Sequence, residues 1–263
     1  MAVEPLPGEI QGPTPRERLR VAWIVEETIS FYKKHFVSLF VVFLLANLAV
    51  WMVQFYSGAQ MANVLEKHGL NYTDILLHPE ESASELVPLL VDLLLLFLLM
   101  LVVVYLVTLV FHGAAIRYVY DRLQGSESDW PQCFSECLRK LPLLVGATIA
   151  AGLIVGLGLL ALVVPGLVLL MMFVLVPQTV VLEGKGPMGA LSRSNQLTSG
   201  NKMTIFLFFL FWGVVLLLFY MIVEMIMPGR SLEVTEFVAS ALFAPVLPVA
   251  TTLIYSKVSE QAV

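Results

Sequence analysis

The sequence predicts an all-α integral membrane protein with six transmembrane helices, arranged as three hairpins that are each preceded by a cytoplasmic amphipathic helix. Two observations lead to this prediction. Of the 263 residues, 59% are hydrophobic and only 13% are charged, whereas soluble domains are about half apolar and about one quarter charged. The apolar residues are also gathered in runs long enough to cross the roughly 30 Å hydrocarbon core of a bilayer as helix. Lipid must therefore cover part of the apolar surface.

Five apolar stretches supply the six spans. The stretch from 141 to 182 contains no charged residue and is long enough as helix for two crossings. Pro165 and Gly166 near its middle predict a tight hairpin turn, and Pro245 and Pro248 are expected to kink the last span. The predicted spans are 36–56, 86–111, 142–163, 166–182, 203–227 and 237–255. They form one membrane domain, 16–258, between a disordered Pro- and Gly-rich N-terminal tail, 1–15, and a C-terminal tail, 259–263.

The basic residues predict the orientation. With the N-terminus inside, thirteen of the fifteen lysines and arginines fall on the cytoplasmic side, and only Lys67 and Arg230 fall outside. Such an excess of lysine and arginine marks the cytoplasmic loops of membrane proteins. The longest outer loop, 57–85, is acidic instead. We therefore expect a multi-pass protein of the cell membrane with both termini in the cytoplasm.

Three cytoplasmic segments have helical apolar periodicity, within 21–29, 130–141 and 187–199, and each leads into a predicted hairpin. A lysine precedes each odd-numbered span: Lys34, Lys140 and Lys202. Gly200 is expected to cap the third segment. Two interpretations stay open: a threefold internal repeat, or lysines placed by the positive-inside rule alone.

The stretch from 164 to 202 carries a longer motif. A Pro-Gly turn is followed by a proline before the end of the span, then Glu-Gly, then Ala-Leu-x-Arg-Ser-x-x-Leu-x-x-Gly. The motif residues are Pro165, Gly166, Pro177, Glu183, Gly184, Ala190, Leu191, Arg193, Ser194, Leu197 and Gly200. This stretch resembles the membrane-domain family of glycerophosphoryl diester phosphodiesterase and the YciC-like membrane proteins. The resemblance implies a six-span architecture more than an activity.

Some members of that family carry a fused phosphodiesterase barrel, and the soluble segments here are too short to form one. Hydrolysis of a phosphodiester would need metal-binding carboxylates and histidines held on rigid elements. The acidic residues are instead mostly scattered through loops. We therefore expect a protein that is not an enzyme, with no catalytic residue, no metal and no cofactor.

Arg193 is the centre of the first candidate site. Its guanidinium is suited to bidentate binding of a lipid phosphate, with Lys185 and Lys202 adding positive charge near anionic headgroups. The alternative is an ion pair between Arg193 and Glu183, or a helix-capping contact, that fixes the loop to the bundle. The candidate residues are Glu183, Lys185, Arg193, Ser194 and Lys202, with Pro165, Gly166, Gly184 and Gly200 as structural turn and cap positions.

Asp92 is the second candidate, because ionisable residues inside spans mark transport sites. It lies near the outer end of the second span, where it would bind a cation or a proton, or else be solvated or hydrogen-bonded to a neighbouring helix. Cys133 and Cys137 are four residues apart, but two ligands make an incomplete metal site.

Two functions follow as hypotheses. The first is a non-enzymatic scaffold or accessory module whose cytoplasmic helices lie among lipid headgroups. Its partners would be the lipid bilayer, anionic headgroups and a membrane protein, with no nucleic acid. The second is a small transporter or lipid-handling permease, in which the prolines of spans four and six mark broken helices. A polar cavity that reaches Asp92 or Arg193 would favour transport, and a solid bundle would favour the scaffold.

The predicted orientation can be tested with a cysteine at Ser82. Because this position lies on the outer side in the predicted topology, the Ser82→Cys thiol should react with an impermeant maleimide in intact cells. Labelling that needs permeabilisation would reverse the assignment of every loop.

Overall fold

The computed structural model describes residues 19–67, 79–226 and 232–261, and within these it describes the side chains of 19–67, 87–226 and 236–261. The predicted tail 1–15 lies outside the described residues. The described chain is helical and contains no strand. Its helices are α1 (Val21–Lys34), α2 (Phe36–Lys67), α3 (Pro79–Leu123), α4 (Trp130–Ala161), α5 (Val163–Phe173), α6 (Val176–Glu183), α7 (Pro187–Thr198), α8 (Lys202–Ile226), α9 (Leu232–Phe243) and α10 (Val246–Glu260).

Within the described residues, six helical segments are long and apolar enough to span a membrane, as the sequence predicts. They are α2, the part of α3 from Val87, α4, α5 with α6, α8, and the part of α9 from Glu236 with α10. Several helices extend beyond the apolar runs. α2 continues to Lys67 and α3 begins at Pro79, so most of the predicted outer loop 57–85 is helical. The reason is local, because Ala, Gln, Met, Leu, Glu and Lys after Ser57 all favour helix.

The turn between α4 and α5 is one residue long. Leu162 has an extended backbone, with φ −161° and ψ 139°, and the turn therefore lies three residues before the predicted Pro165. Pro165 and Gly166 instead belong to the first turn of α5, where a proline costs no intrahelical hydrogen bond. Gly166 permits the close return of the chain, because a Cβ atom there would lie 2.6 Å from the backbone nitrogen of Leu159.

The fourth span is interrupted in its middle. The helix stops after Phe173 and resumes at Val176, and Pro177 supplies no N–H at this point. The Ser194 hydroxyl of α7 bridges the gap: it donates to the carbonyl of Met172 at 2.7 Å and accepts from the N–H of Leu175 at 3.2 Å. The interruption is therefore stabilised by a side chain of another helix.

The sixth span is interrupted in the same way. α9 stops at Phe243, and α10 starts at Val246 after Ala244 and Pro245. The Tyr32 hydroxyl of α1 donates to the carbonyl of Leu242 at 2.8 Å. Burial raises the pKa of Tyr32 to about 12, so the hydroxyl keeps its proton at neutral pH.

The buried core lies toward one end of the bundle, which we call the basic end because it carries Lys34, Arg117, Lys140, Lys185 and Lys202. Two apolar clusters join α2, α3, α4, α6, α7 and α10 in one case, and α1, α5, α7, α8 and α10 in the other. α10 enters both clusters, and ten of its residues are buried. Long faces of α2, α3, α4 and α8 remain exposed and apolar. The fold is thus tied together at the basic end, around α10.

Gly166→Ala should lower the stability of the folded protein in detergent by about 1–3 kcal/mol, the range for overpacked sites, because its methyl group would meet the backbone of Leu159. Gly152→Ala is the matched control. Gly152 lies in α4 with no atom near its missing Cβ, so alanine there should leave stability unchanged or raise it by up to about 1 kcal/mol. Thermal unfolding of both variants measures the difference, and equal stabilities would contradict the close approach.

Candidate functional site

Glu183 at the end of α6 is the centre of a charged cluster at the basic end. Its Oε1 atom lies 3.1 Å from Nε of Arg193 on α7 and accepts a hydrogen bond from the Tyr255 hydroxyl of α10 at 2.9 Å. Its Oε2 atom lies 3.5 Å from Nζ of Lys185. One carboxylate therefore joins α6, α7 and α10. Arg193 is in the ion pair with Glu183 that was the alternative to a lipid-phosphate contact.

The other candidate residues of this stretch also make contacts within the protein or end its helices. Ser194 is fully buried at the break of the fourth span, where no lipid reaches its hydroxyl. Lys202 donates to Oδ1 of Asn195 at 3.2 Å. Gly184 ends α6 with φ +67°, and Gly200 follows α7 with φ +84°, a left-handed conformation that glycine adopts without strain.

Asp92 lies apart from this cluster. Its Oδ2 atom is 2.7 Å from Nζ of Lys67, which joins α3 to the end of α2. The Lys67 side chain is exposed and that of Asp92 is partly exposed. The structure thus pairs Asp92 with a cation of the neighbouring helix, which agrees with the alternative of a hydrogen bond to that helix.

A cavity of about 280 Å³, the central cavity, lies between α3, α4, α8, α10 and the interrupted fourth span. Val174 lines it from the interruption of the fourth span, followed by Pro177, and Leu247 and Pro248 line it from the first turn of α10, just after the interruption of the sixth span. Its walls are mostly apolar. The polar residues that line it are Tyr105, Thr108, His112, Gln178 and Thr251.

The buried amide of Gln178 is only half satisfied. Its Nε2 atom donates to the Thr251 hydroxyl at 2.6 Å, and that hydroxyl donates onward to the carbonyl of Leu247 at 2.8 Å. The Oε1 atom of Gln178 has no hydrogen-bond partner among the described residues. Gln178 is 2% exposed, and a buried acceptor without a partner costs free energy. The Gln178 side chain is therefore a buried polar group beside the central cavity, with an unpartnered acceptor among the described residues.

The sequence patterns did not indicate most of the polar residues that line the central cavity. Asp92 and Arg193, the two residues that were to distinguish transport from scaffold, do not line it. A signal for the missed residues does exist, since Gln178 directly follows Pro177, and Thr251 follows Pro248 by three residues, within strongly apolar spans. Among the described residues there is no group of three side chains suited to hold a metal.

Comparison with known proteins identifies a family by sequence. Residues 73–259 match the family described as a domain of unknown function, DUF7847. No curated protein and no solved structure matches the chain.

Arg193→Ala should destabilise the basic end by about 1 kcal/mol, since it removes one hydrogen bond from a partly exposed carboxylate. Arg139→Ala is the control, because Arg139 is exposed on α4. Arg122→Ala would be a poorer control, because the Arg122 guanidinium lies 5.2 Å from the ring centre of Tyr118 and its removal would lose that contact. Thermal unfolding in detergent and abundance in the membrane fraction are the measurements. Loss of stability in Arg139→Ala but not in Arg193→Ala would contradict the structural role of the cluster.

Proposed function

This chain belongs to the DUF7847 family, and we propose that it is a non-enzymatic membrane protein that binds a small amphiphilic molecule in the central cavity, as a permease or lipid-handling protein does. The observation that carries the proposal is the position of the cavity, which is lined by Val174 in the interruption of span four and by Leu247 and Pro248 just after the interruption of span six.

Interrupted helices inside a membrane are expensive, because the freed backbone groups have no water to bind. They are tolerated where protein or a cavity surrounds them, and in transporters such interruptions form the substrate site. Here the two interruptions are held by Ser194 and Tyr32 from outside the spans. Unbroken helices would be sufficient for a bundle whose only role is to span the bilayer.

The orientation and the membrane are part of the proposal. Basic residues gather at the end that holds the core, and the positive-inside rule assigns that end to the cytoplasm of a cell membrane. Lys185 is partly exposed there, and Arg139 is exposed, which supports contact with anionic headgroups of the surrounding bilayer. A phosphate contact by Arg193 stays a prediction, and its pairing with Glu183 favours the structural alternative.

A scaffold or accessory role is the second candidate. Its support is the apolar surface that the chain leaves exposed on α2, α3 and α8, which would be covered by lipid or by the helices of a membrane protein partner. α1 is also suited to the headgroup region, since it buries Ile24 and Thr28 and exposes Glu26 and Glu27.

We also propose that this family is related to the membrane domain of glycerophosphoryl diester phosphodiesterase and to YciC-like proteins. The motif supports this relation because its parts have clear structural roles. Ala190, Leu191 and Leu197 are buried, while Ser194 holds a helix break and Arg193 pairs with Glu183. Six spans preceded by an N-terminal amphipathic helix are the architecture that such a relation implies, and the threefold repeat stays a separate interpretation of the sequence.

Leu247→Trp should abolish ligand binding without loss of folding, because an indole would fill much of the central cavity. Leu160→Trp is the control, since Leu160 is 86% exposed at the end of α4. Native mass spectrometry of the protein gently extracted from its own membrane records lipids, small molecules and proteins that copurify. A small molecule retained by wild type and Leu160→Trp but lost from Leu247→Trp supports binding in the cavity. A stoichiometric protein partner with no bound molecule would favour the scaffold instead.

A further inference from the structure

We propose that a cavity between α2 and α9, which we call the distal cavity, binds an organic ammonium ion that carries an apolar chain. The distal cavity has a volume of about 560 Å³, about twice the 280 Å³ of the central cavity. The described residues that line it are not those of the central cavity. This second site is therefore independent of the proposed function.

The distal cavity lies far from the basic end of the bundle. α2 begins at Phe36, close to Lys34 of the basic end, and the α2 residues that line the cavity run from Asn47 to Phe55. At about 1.5 Å per helical residue, they lie roughly 16 to 29 Å along the helix from its start. The lysines and arginines of the basic end are therefore too distant to neutralise a negative charge in the distal cavity.

The two helices that form the cavity are joined at its wall. The Ser240 hydroxyl of α9 donates to Oδ1 of Asn47 on α2 at 2.7 Å, and both residues line the cavity. This bond connects residues 193 positions apart in the chain. The walls are thus held in place before a ligand arrives, which lowers the free-energy cost of binding.

Glu236 gives the distal cavity its negative charge. Its side chain is exposed, and a solvated glutamate is ionised at neutral pH. Polar atoms contribute a larger share of the accessible wall here than in the central cavity. No lysine, arginine or histidine is among the described residues that line the distal cavity. The charge of the wall therefore favours a cation.

Aromatic rings supply the second feature of the site. Trp51 and Phe55 line the cavity with 48% and 69% of their surfaces exposed, so a ligand can reach them. Their rings stack at 5.6 Å between ring centres with an angle of 21° between the planes. Aromatic faces attract organic cations, and quaternary ammonium groups are recognised in this way. The rings also offer apolar surface to the chain that such a cation carries.

A ligand with a net positive charge fits better than a zwitterionic phospholipid. A choline or ethanolamine headgroup has a phosphate close to its ammonium group. In the distal cavity that phosphate would find no positively charged partner among the described lining residues, and the carboxylate of Glu236 would repel it. An amphiphilic amine or quaternary ammonium ion has no such group.

Photolabelling of the purified full-length protein in a nonionic detergent tests the proposal. The probe is octyltrimethylammonium with a diazirine in its chain. Its neutral isostere, 2,2-dimethyldecane with the same diazirine, has carbon in place of the ammonium nitrogen, and the two are compared at equal mole fraction in the micelle. We expect saturable labelling by the cation within 47–55 and 236–240, mapped by mass spectrometry. The isostere should need about tenfold more for half-maximal labelling.

Two variants locate the groups that recognise the cation. Glu236→Gln should weaken labelling by the cation about fivefold, and Trp51→Leu should weaken it by a similar factor. The matched controls are Glu224→Gln and Tyr56→Leu, because Glu224 on α8 and Tyr56 on α2 are exposed and do not line the cavity. The isostere tests the charge in the wild-type protein, so the proposal stays testable if a variant fails to fold.

Competition with unlabelled octylphosphocholine separates a free cation from a lipid headgroup. We expect it to compete at least about tenfold more weakly than unlabelled octyltrimethylammonium. Equal competition would assign the site to a lipid headgroup and overturn the cationic ligand. Equal labelling by the cation and its isostere would overturn recognition of the charge, and unchanged labelling of Glu236→Gln would overturn the role of that carboxylate. Labelling that is not saturable, or that maps to the central cavity, would overturn the second site itself.

Discussion

The structure depends on one constraint: backbone groups freed by a helix interruption in a membrane span must find partners within the protein. Spans four and six are both interrupted, and in each case a hydroxyl from a helix outside the spans supplies a partner. Ser194 can do so only if α7 lies against α5, and Tyr32 can do so only if α1 lies beside α9. The interruptions therefore require the short helices to be where they are.

The charged cluster around Glu183 follows from the same arrangement. Once α7 is docked to serve the break, Arg193 lies one residue before Ser194 and reaches the carboxylate at the end of α6. Tyr255 approaches the same oxygen from α10. Residues that suggest a lipid-phosphate site in the sequence thus meet one another in the fold. The cluster therefore joins the end of α6 to α7 and α10.

The side chains are packed more tightly at the basic end than along the rest of the long helices. The basic end holds nearly all the buried residues, whereas the long helices beyond it expose apolar surface to the bilayer. The central cavity is bordered by the interruption of the fourth span and by the first turn of α10. A rigid base with an adjoining cavity holds Gln178 and Thr251 in fixed relation, and their hydrogen bond joins residues 73 positions apart in the chain. Such preorganisation is what a selective site requires.

The sequence by itself determined the membrane class, the helical fold and the number of spans, because each depends only on the length and composition of local apolar runs. It also placed prolines at the two interrupted spans. Tertiary structure alone decided that the sharp turn falls at Leu162 and that Asp92 meets Lys67. It also decided that Gln178, not Arg193 or Asp92, borders the cavity. These outcomes depend on close approaches between distant segments, such as Gly166 against Leu159. Local patterns of hydropathy and spacing contain no information about which distant side chains will touch.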